Sequence, residues 1–162
     1  MSNTPETISE STDSLEVIHQ GVLIVDDNEQ NLELLNAYLD DLGGPVRVVN
    51  DGIQAIESVK NDPPDIILLD IMMPRMSGYQ VCQQLKQSPE TKDIPIIMVT
   101  ALSEVGDVER AIDVGADDFL TKPVNKLELL TRVRSLLRVR QLKRNLDSAV
   151  AEVRALRDQA GE

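Results

Sequence analysis

The chain has 162 residues, and its 28 acidic and 16 basic residues give a formal net charge of −12. An apolar fraction of 41% is enough for one proper core, while one Phe, two Tyr and no Trp leave almost no rings to stack on single-stranded nucleic acid. The charge opposes binding to nucleic acid or an anionic membrane, the single cysteine (Cys82) excludes an internal disulfide framework, and the single histidine (His19) excludes imidazole metal clusters and disfavours a Ser-His-Asp triad.

Residues 1–20 are rich in Ser, Thr and Glu, carry a net charge of −4 from Glu6, Glu10, Asp13 and Glu16, and read as a disordered acidic leader. They lack the basic start and apolar stretch of a signal peptide, and no apolar run reaches 18 residues, so the expected location is the cytoplasm, with no membrane contact. From Val22 the pattern changes. Short apolar runs at Val22–Val25, Val46–Val49, Ile66–Leu69, Ile96–Val99 and Asp118–Thr121 alternate with helical stretches at about Gln30–Asp41, Gly52–Asn61, Gly78–Gln87, Asp107–Val114 and from Lys126 onward. Runs without polar alternation predict strands buried on both faces, and five strands alternating with five helices predict an α/β fold with a doubly wound parallel sheet. Gly43-Gly44-Pro45, Pro63-Pro64, Pro74, Pro95 and Gly115 punctuate the boundaries.

The last segment keeps helical periodicity past Leu156 and meets no Gly or Pro before Gly161. Val139, Leu142, Leu146, Ala149, Val153, Leu156 and Ala160 recur at alternating spacings of three and four, an a/d seam of three heptads. The expected organisation is therefore a leader (1–20), an α/β domain (21–138) and a helical, coiled-coil extension (139–162), with a homodimer formed through residues 139–160. In a parallel pair Glu152 at g faces Arg157 at e of the second copy. The competing expectation is a helix folded back on its own domain.

The strand ends carry the chemistry. The first ends in Asp26-Asp27, the third in Asp70, the fourth in Thr100 and the fifth in Lys122-Pro123. In a parallel sheet the C-terminal strand ends share one edge, which is where ligands bind. Three acids, a hydroxyl and an ammonium thus converge. Two unit charges 4 Å apart interact by about 4 kcal/mol at an effective dielectric of 20, so clustered carboxylates repel one another until a cation arrives. Oxygen ligands without His or Cys point to Mg²⁺. Asp26 and Asp27 form an adjacent metal-binding pair, and Asp70, alone at the end of its strand, is the candidate nucleophile for attack on phosphorus. Lys122 and Thr100 can contact further phosphoryl oxygens.

On these residues the chain, from about Gly21 to Leu137, resembles a response-regulator receiver domain of bacterial two-component signalling, the CheY-like fold. The motifs are Val-Asp26-Asp27-Asn28, Leu-Asp70-Ile-Met-Met-Pro74-Arg-Met-Ser-Gly78, Met-Val-Thr100-Ala101, Gly115-Ala-Asp-Asp-Phe119 and Lys122-Pro123, with no departure at the key positions. The resemblance implies strand order 2-1-3-4-5. It implies that Asp70 accepts a phosphoryl group from a histidine kinase or phosphotransfer protein. Mg²⁺ would be bound by Asp27 and Asp70 directly, by Asp26 through water and by the backbone carbonyl of Met72. It further implies that Thr100 and Phe119 act as the switch pair and that the Lys122–Pro123 peptide is cis. The apolar Met72 side chain cannot position an attacking water, so a long-lived phosphoryl group is expected.

Rival functions fit less well. Aspartate phosphatases of the haloacid-dehalogenase type need Asp-x-Asp after the first strand and a cap, whereas this chain has adjacent acids and no cap-sized insertion; it is expected not to be an enzyme beyond its own phosphotransfer and dephosphorylation. A phosphate-independent dimerisation module leaves the acid, Thr and Lys set unexplained. The run Arg132, Arg134, Arg138, Arg140, Lys143, Arg144 suggests a basic-zipper layout, but it overlaps the helix that must pack on the sheet and reads instead as a solvated or partner-facing surface. No output domain fits after Leu137, so the output is a docked protein partner or a further domain beyond this chain.

Overall fold

The structure is a computed structural model and describes residues 21–101 and 105–161. The acidic leader expected over residues 1–20 lies outside them. In chain order the elements are β1 (Val22–Val25), α1 (Glu29–Leu39), β2 (Val46–Val49), α2 (Gly52–Asn61), β3 (Ile66–Leu69), α3 (Gly78–Gln87), β4 (Ile96–Thr100), α4 (Val105–Asp113), β5 (Asp118–Thr121) and α5 (Lys126–Ala160). The strands pair in parallel in the order 2-1-3-4-5, as expected. The first expected helix is split: α1 stops at Leu39 and a 3-10 turn, Asp40–Leu42, leads to Gly43 at φ +71°. A left-handed residue there closes the helix without a Cβ penalty. The fourth helix begins two residues before its expected start.

β1, β3 and β4 are buried along their whole length, because helices cover both faces of the sheet. Alternate residues point to opposite sides and build two cores. One joins Leu23, Val25, Ile67, Leu69, Ile96 and Met98 to α2 and α3; the other joins Val22, Ile24, Ile66, Leu68, Ile97 and Val99 to α1 and α5. The helices start where side chains accept orphan backbone N–H groups. Asn28 caps α1, Asp51 caps α2, Asn125 caps α5, and Ser77 with Gln80 forms a capping box on α3. Since Asn28 provides the cap of α1, that role does not account for Asp27.

α5 divides into two parts. Leu129, Leu130 and Val133 are buried on the sheet and Leu136 and Leu137 are partly buried. Beyond them Val139, Leu142, Leu146, Val153 and Leu156 are between 56% and 66% exposed. The seam therefore does not fold back on this domain. In the basic run Arg132, Arg134, Arg138 and Lys143 are exposed, and several of its members also hold acids: Arg132 pairs with Asp118 and Glu128, Arg144 with Asp65, and Lys143 with Asp93. No described helix is long and apolar enough to cross a membrane.

Gly78 lets α3 begin against the end of β3. A Cβ there would run into the Asp70 carbonyl oxygen and lie 2.8 Å from the Ile71 Cα, and these are backbone atoms that cannot step aside. Gly78→Ala is expected to cost about 1–3 kcal/mol, the range of overpacked cores, read as a lower urea midpoint at unchanged slope.

Candidate functional site

The site is assembled at the C-terminal edge of the sheet. Hydrogen bonds Asp26 N to Val49 O (3.2 Å) and Asp70 N to Val25 O (2.9 Å) continue the ladder into the site residues, so both acids inherit the register of the strands. Asp26, Asp27 and Asp70 each offer a carboxylate oxygen within 4.8 Å of the others. Asp26 and Asp70 are buried and Asp27 is exposed at the mouth. The Asn28 backbone N–H donates to Asp26 Oδ1 at 2.8 Å and fixes that carboxylate.

Lys122 is the counter-charge. Its Nζ lies 2.8 Å from Asp26 Oδ2 and 3.5 Å from Asp70 Oδ1. The Lys122 N–H donates to the Thr100 carbonyl at 2.8 Å, which ties the end of β5 to the end of β4, and the Lys122–Pro123 peptide is cis. One ammonium does not balance the cluster. Burial pushes the Asp70 pKa up from 3.8 to about 6; the Asp26 carboxylate adds to the rise, and Lys122 and a Met72 backbone hydrogen bond oppose it. Thr100 is fully buried at its strand end. Phe119 is partly buried and packs against the α2–α3 core, and the Met72 side chain is 62% exposed beside the mouth.

A hard cation suits this donor set: three carboxylates, two net uncompensated negative charges even with Lys122, and neither sulfur nor imidazole among the described groups at the cluster. The sequence reasoning missed what stands on the other side of the mouth. A groove lined by Asp27, Met72, Pro74, Tyr79 and Arg110 joins the β3–α3 loop to α4. Tyr79 Oη donates to the Asp107 carbonyl at 3.1 Å, and the Arg110 guanidinium sits over the Tyr79 ring at 4.3 Å. No spacing links Tyr79 to Arg110 along the chain; only the packing of α3 beside α4 brings them together.

A CheY-like doubly wound sheet carrying this carboxylate trio and lysine defines the receiver class. The description "Response regulator receiver domain" matches residues 22–134, and the chain belongs to that family. It is 47% identical over 117 residues to the response regulator PleD of Caulobacter vibrioides, covering 72% of this chain and 26% of PleD. It is 42% identical over 117 residues to the DNA-binding dual master transcriptional regulator RpaA of a Synechocystis species, covering 72% of this chain and 48% of RpaA. Thus the matched part spans a quarter to a half of these relatives. Among solved structures it is similar to the receiver domain of sensor histidine kinase PA1611 from Pseudomonas aeruginosa, which has a magnesium ion coordinated in its active site cleft (34% identity, TM-score 0.68, 73% of this chain and 97% of that one).

The raised Asp70 pKa has a stability consequence. The folded chain holds the Asp70 proton to higher pH than the unfolded chain does, so stability falls as pH rises from about 4 through 6. In EDTA, Asp70→Asn is expected to be more stable than wild type at pH 7.5, by up to about 3 kcal/mol for a rise of about 2 pKa units, and nearly equal to it at pH 3.5. Lys122 keeps Asp26 in the variant, so no charge is orphaned. Urea titrations at the two pH values check it.

Proposed function

We propose that the chain is a phosphorylation-controlled response regulator in which Asp70 is the phosphoacceptor. The observation that supports this most directly is the buried Asp70 carboxylate at the tip of β3, beside a second carboxylate and within reach of one ammonium. The donor is a phosphohistidine on a sensor kinase or phosphotransfer protein. An Asp70 Oδ attacks phosphorus, the P–N bond breaks with its electron pair going to the imidazole, and an acyl phosphate remains. Asp26, Asp27 and Asp70, with the Met72 carbonyl, would hold Mg²⁺. That ion, when bound, supplies Lewis-acid neutralisation of phosphoryl charge. Lys122 is placed to exchange its pairing with Asp70 for a phosphoryl oxygen. The Thr100 hydroxyl is the donor for another, and Phe119 follows its movement, repacking the face built from α4, β5 and α5. The chain catalyses only its own phosphotransfer and dephosphorylation, and its setting is the cytoplasm.

The occupant of the α5 seam is a second copy of this chain. Charge decides the orientation. Parallel packing sets Glu152 opposite Arg157 of the second copy and Arg138 opposite its Lys143, each twice per dimer, whereas antiparallel packing brings Lys143 toward that Arg157 with no opposite-charge pair to offset it. The 24 residues from Val139 extend about 36 Å at 1.5 Å each, which is marginal for a coiled coil alone, so the dimer is weak. The output is a docked protein or a further domain; no nucleic acid is bound by the strongly acidic chain.

Acetyl phosphate with Mg²⁺ is expected to add one phosphoryl group to wild type and none to Asp70→Asn, read by intact mass. Wild type that stays unmodified with both acetyl phosphate and a purified kinase overturns the reading in favour of a phosphate-independent module. The phosphorylated form is expected to decay over minutes or longer, because Met72 offers no group to order water; a half-life of seconds overturns this. Leu146→Lys is expected to leave only monomer in sedimentation equilibrium.

A further inference from the structure

The acidic site occupies one edge of the sheet. A second charged cluster, which the phosphotransfer reading does not use, occupies the opposite edge. Asp65 immediately precedes β3 and Asp93 precedes β4, so both stand at the foot of the sheet. Asp65 is held from below by its own chain: its Oδ2 accepts from Gly21 N at 3.3 Å. Onto this foot comes one turn of α5. Arg144 Nη1 meets Asp65 Oδ1 at 3.2 Å, and Arg140 Nε lies 3.9 Å from the same oxygen. Arg140 Nη1 donates to the Asp93 carbonyl at 2.8 Å, and Lys143 Nζ pairs with the Asp93 carboxylate at 2.7 Å. The Asp65 and Arg140 side chains are only 5% and 13% exposed and form the buried centre of the seat, while Lys143 and Asp93, 54% and 53% exposed, flank it at the surface.

The helical phase of these residues matters. Leu129, Val133, Leu136, Arg140, Lys143 and Arg144 lie on one side of α5, the side against the receiver. At about 100° per residue, Val139, Leu142, Leu146, Val153 and Leu156 centre roughly 135° away. The three cations therefore grip the helix at the point where it leaves the domain, and they turn its apolar stripe outward.

We infer that Asp65 and Asp93 with Arg140, Lys143 and Arg144 form an electrostatic clamp that fixes the direction and rotational phase in which α5 presents its seam to a second copy. These residues are positioning residues: they do not touch the phosphoryl site. The inference deepens the dimer reading and rests on it only for its purpose. The clamp itself is a property of the single chain. Arg140, Lys143 and Arg144 follow directly after Leu136 and Leu137, the last residues of α5 that pack on the core, so the charged contact takes over where the hydrophobic one ends.

The test is an intrachain distance. Spin labels on Lys60→Cys, at the end of α2, and Ala151→Cys, on the free part of α5, are both at exposed positions. Cys82 is buried with its thiol pushed up to about 11, so it does not take label under mild conditions. Labelled full-length chain diluted in unlabelled chain reports only the intrachain distance by pulsed electron resonance, whether or not the chain dimerises. Wild type is expected to give one narrow distribution, which broadens at least twofold in Asp93→Lys, in Lys143→Asp and in the double variant Arg140→Gln/Arg144→Gln. Combining Asp93→Lys with Lys143→Asp is expected to restore the wild-type width. Gln is a good helix former, and circular dichroism confirms that the helix persists. Unchanged widths in all the broken variants overturn the clamp, as does a swap that restores nothing. A narrow distance in a chain that sedimentation shows to be monomeric leaves the clamp standing and removes only the dimer reading.

Discussion

Everything at the upper edge of this molecule depends on one electrostatic conflict: three carboxylates and a single ammonium. Two of the acids are buried, and the nearest cation, Lys122, sits closer to Asp26 than to Asp70. Burial first, and repulsion from Asp26 second, raise the Asp70 pKa to about 6. A protein selected for stability alone would replace one of these acids, because an apolar or neutral group there costs less than an under-compensated charge. The cluster is therefore a standing cost that binding can relieve. A hard cation relieves it from the carboxylate side, and on the proposed reading a phosphoryl group gives Lys122 a new partner.

Holding such a cluster together requires a scaffold that does not yield, and the sheet provides it. β1 and β3 are adjacent, buried on both faces and in fixed register, so Val25 pairs with Leu69 and the residues that follow each strand are side by side. Packed aliphatic layers above and below resist displacement. The backbone bonds from Asp26 to Val49 and from Asp70 to Val25 extend that rigidity one residue into the site. Gly78 contributes by omission, since only a residue without a side chain lets α3 start against the Asp70 carbonyl.

The strands and the polar residues at their C-terminal ends were legible because they depend on local pattern, whereas the strand order followed from the family resemblance. Uninterrupted apolar runs such as Ile66–Leu69 mark buried parallel strands, and a polar residue directly after each run marks the ligand edge. Boundaries were less legible where a turn competes with a helix, as at Asp40–Leu42, whose sequence continues the helical periodicity while the backbone tightens. Pairings between distant segments left no trace. Tyr79 with Arg110, and Asp65 with Arg144, are 31 and 79 residues apart, and no period connects them. The basic run was visible as a run, but its partners were not: Asp65 and Asp93 look like ordinary loop acids until the topology places them at the foot of the sheet.

β3 links the two charged ends. Asp65 stands immediately before it and Asp70 immediately after it, a separation of about 17 Å at 3.3 Å per residue. A fully buried central strand does not bend or slide by itself, so β3 is a poor carrier of a conformational signal; coupling needs an element with two packed arrangements. α5 behaves differently along its length, with a hydrophobic seat above, a charged seat at Arg140–Arg144 and a free stripe below. With the lower seat closed, the stripe cannot rotate relative to the receiver. Phosphorylation would then act on the dimer by changing how two receivers approach each other across the α4, β5 and α5 face, and not by turning each helix on its own domain. On the proposed switch and dimer, the clamp would turn a local repacking of Thr100 and Phe119 into a rigid-body problem: a small change in the angle between receivers would be carried down two stiff helices, its displacement growing with distance along them.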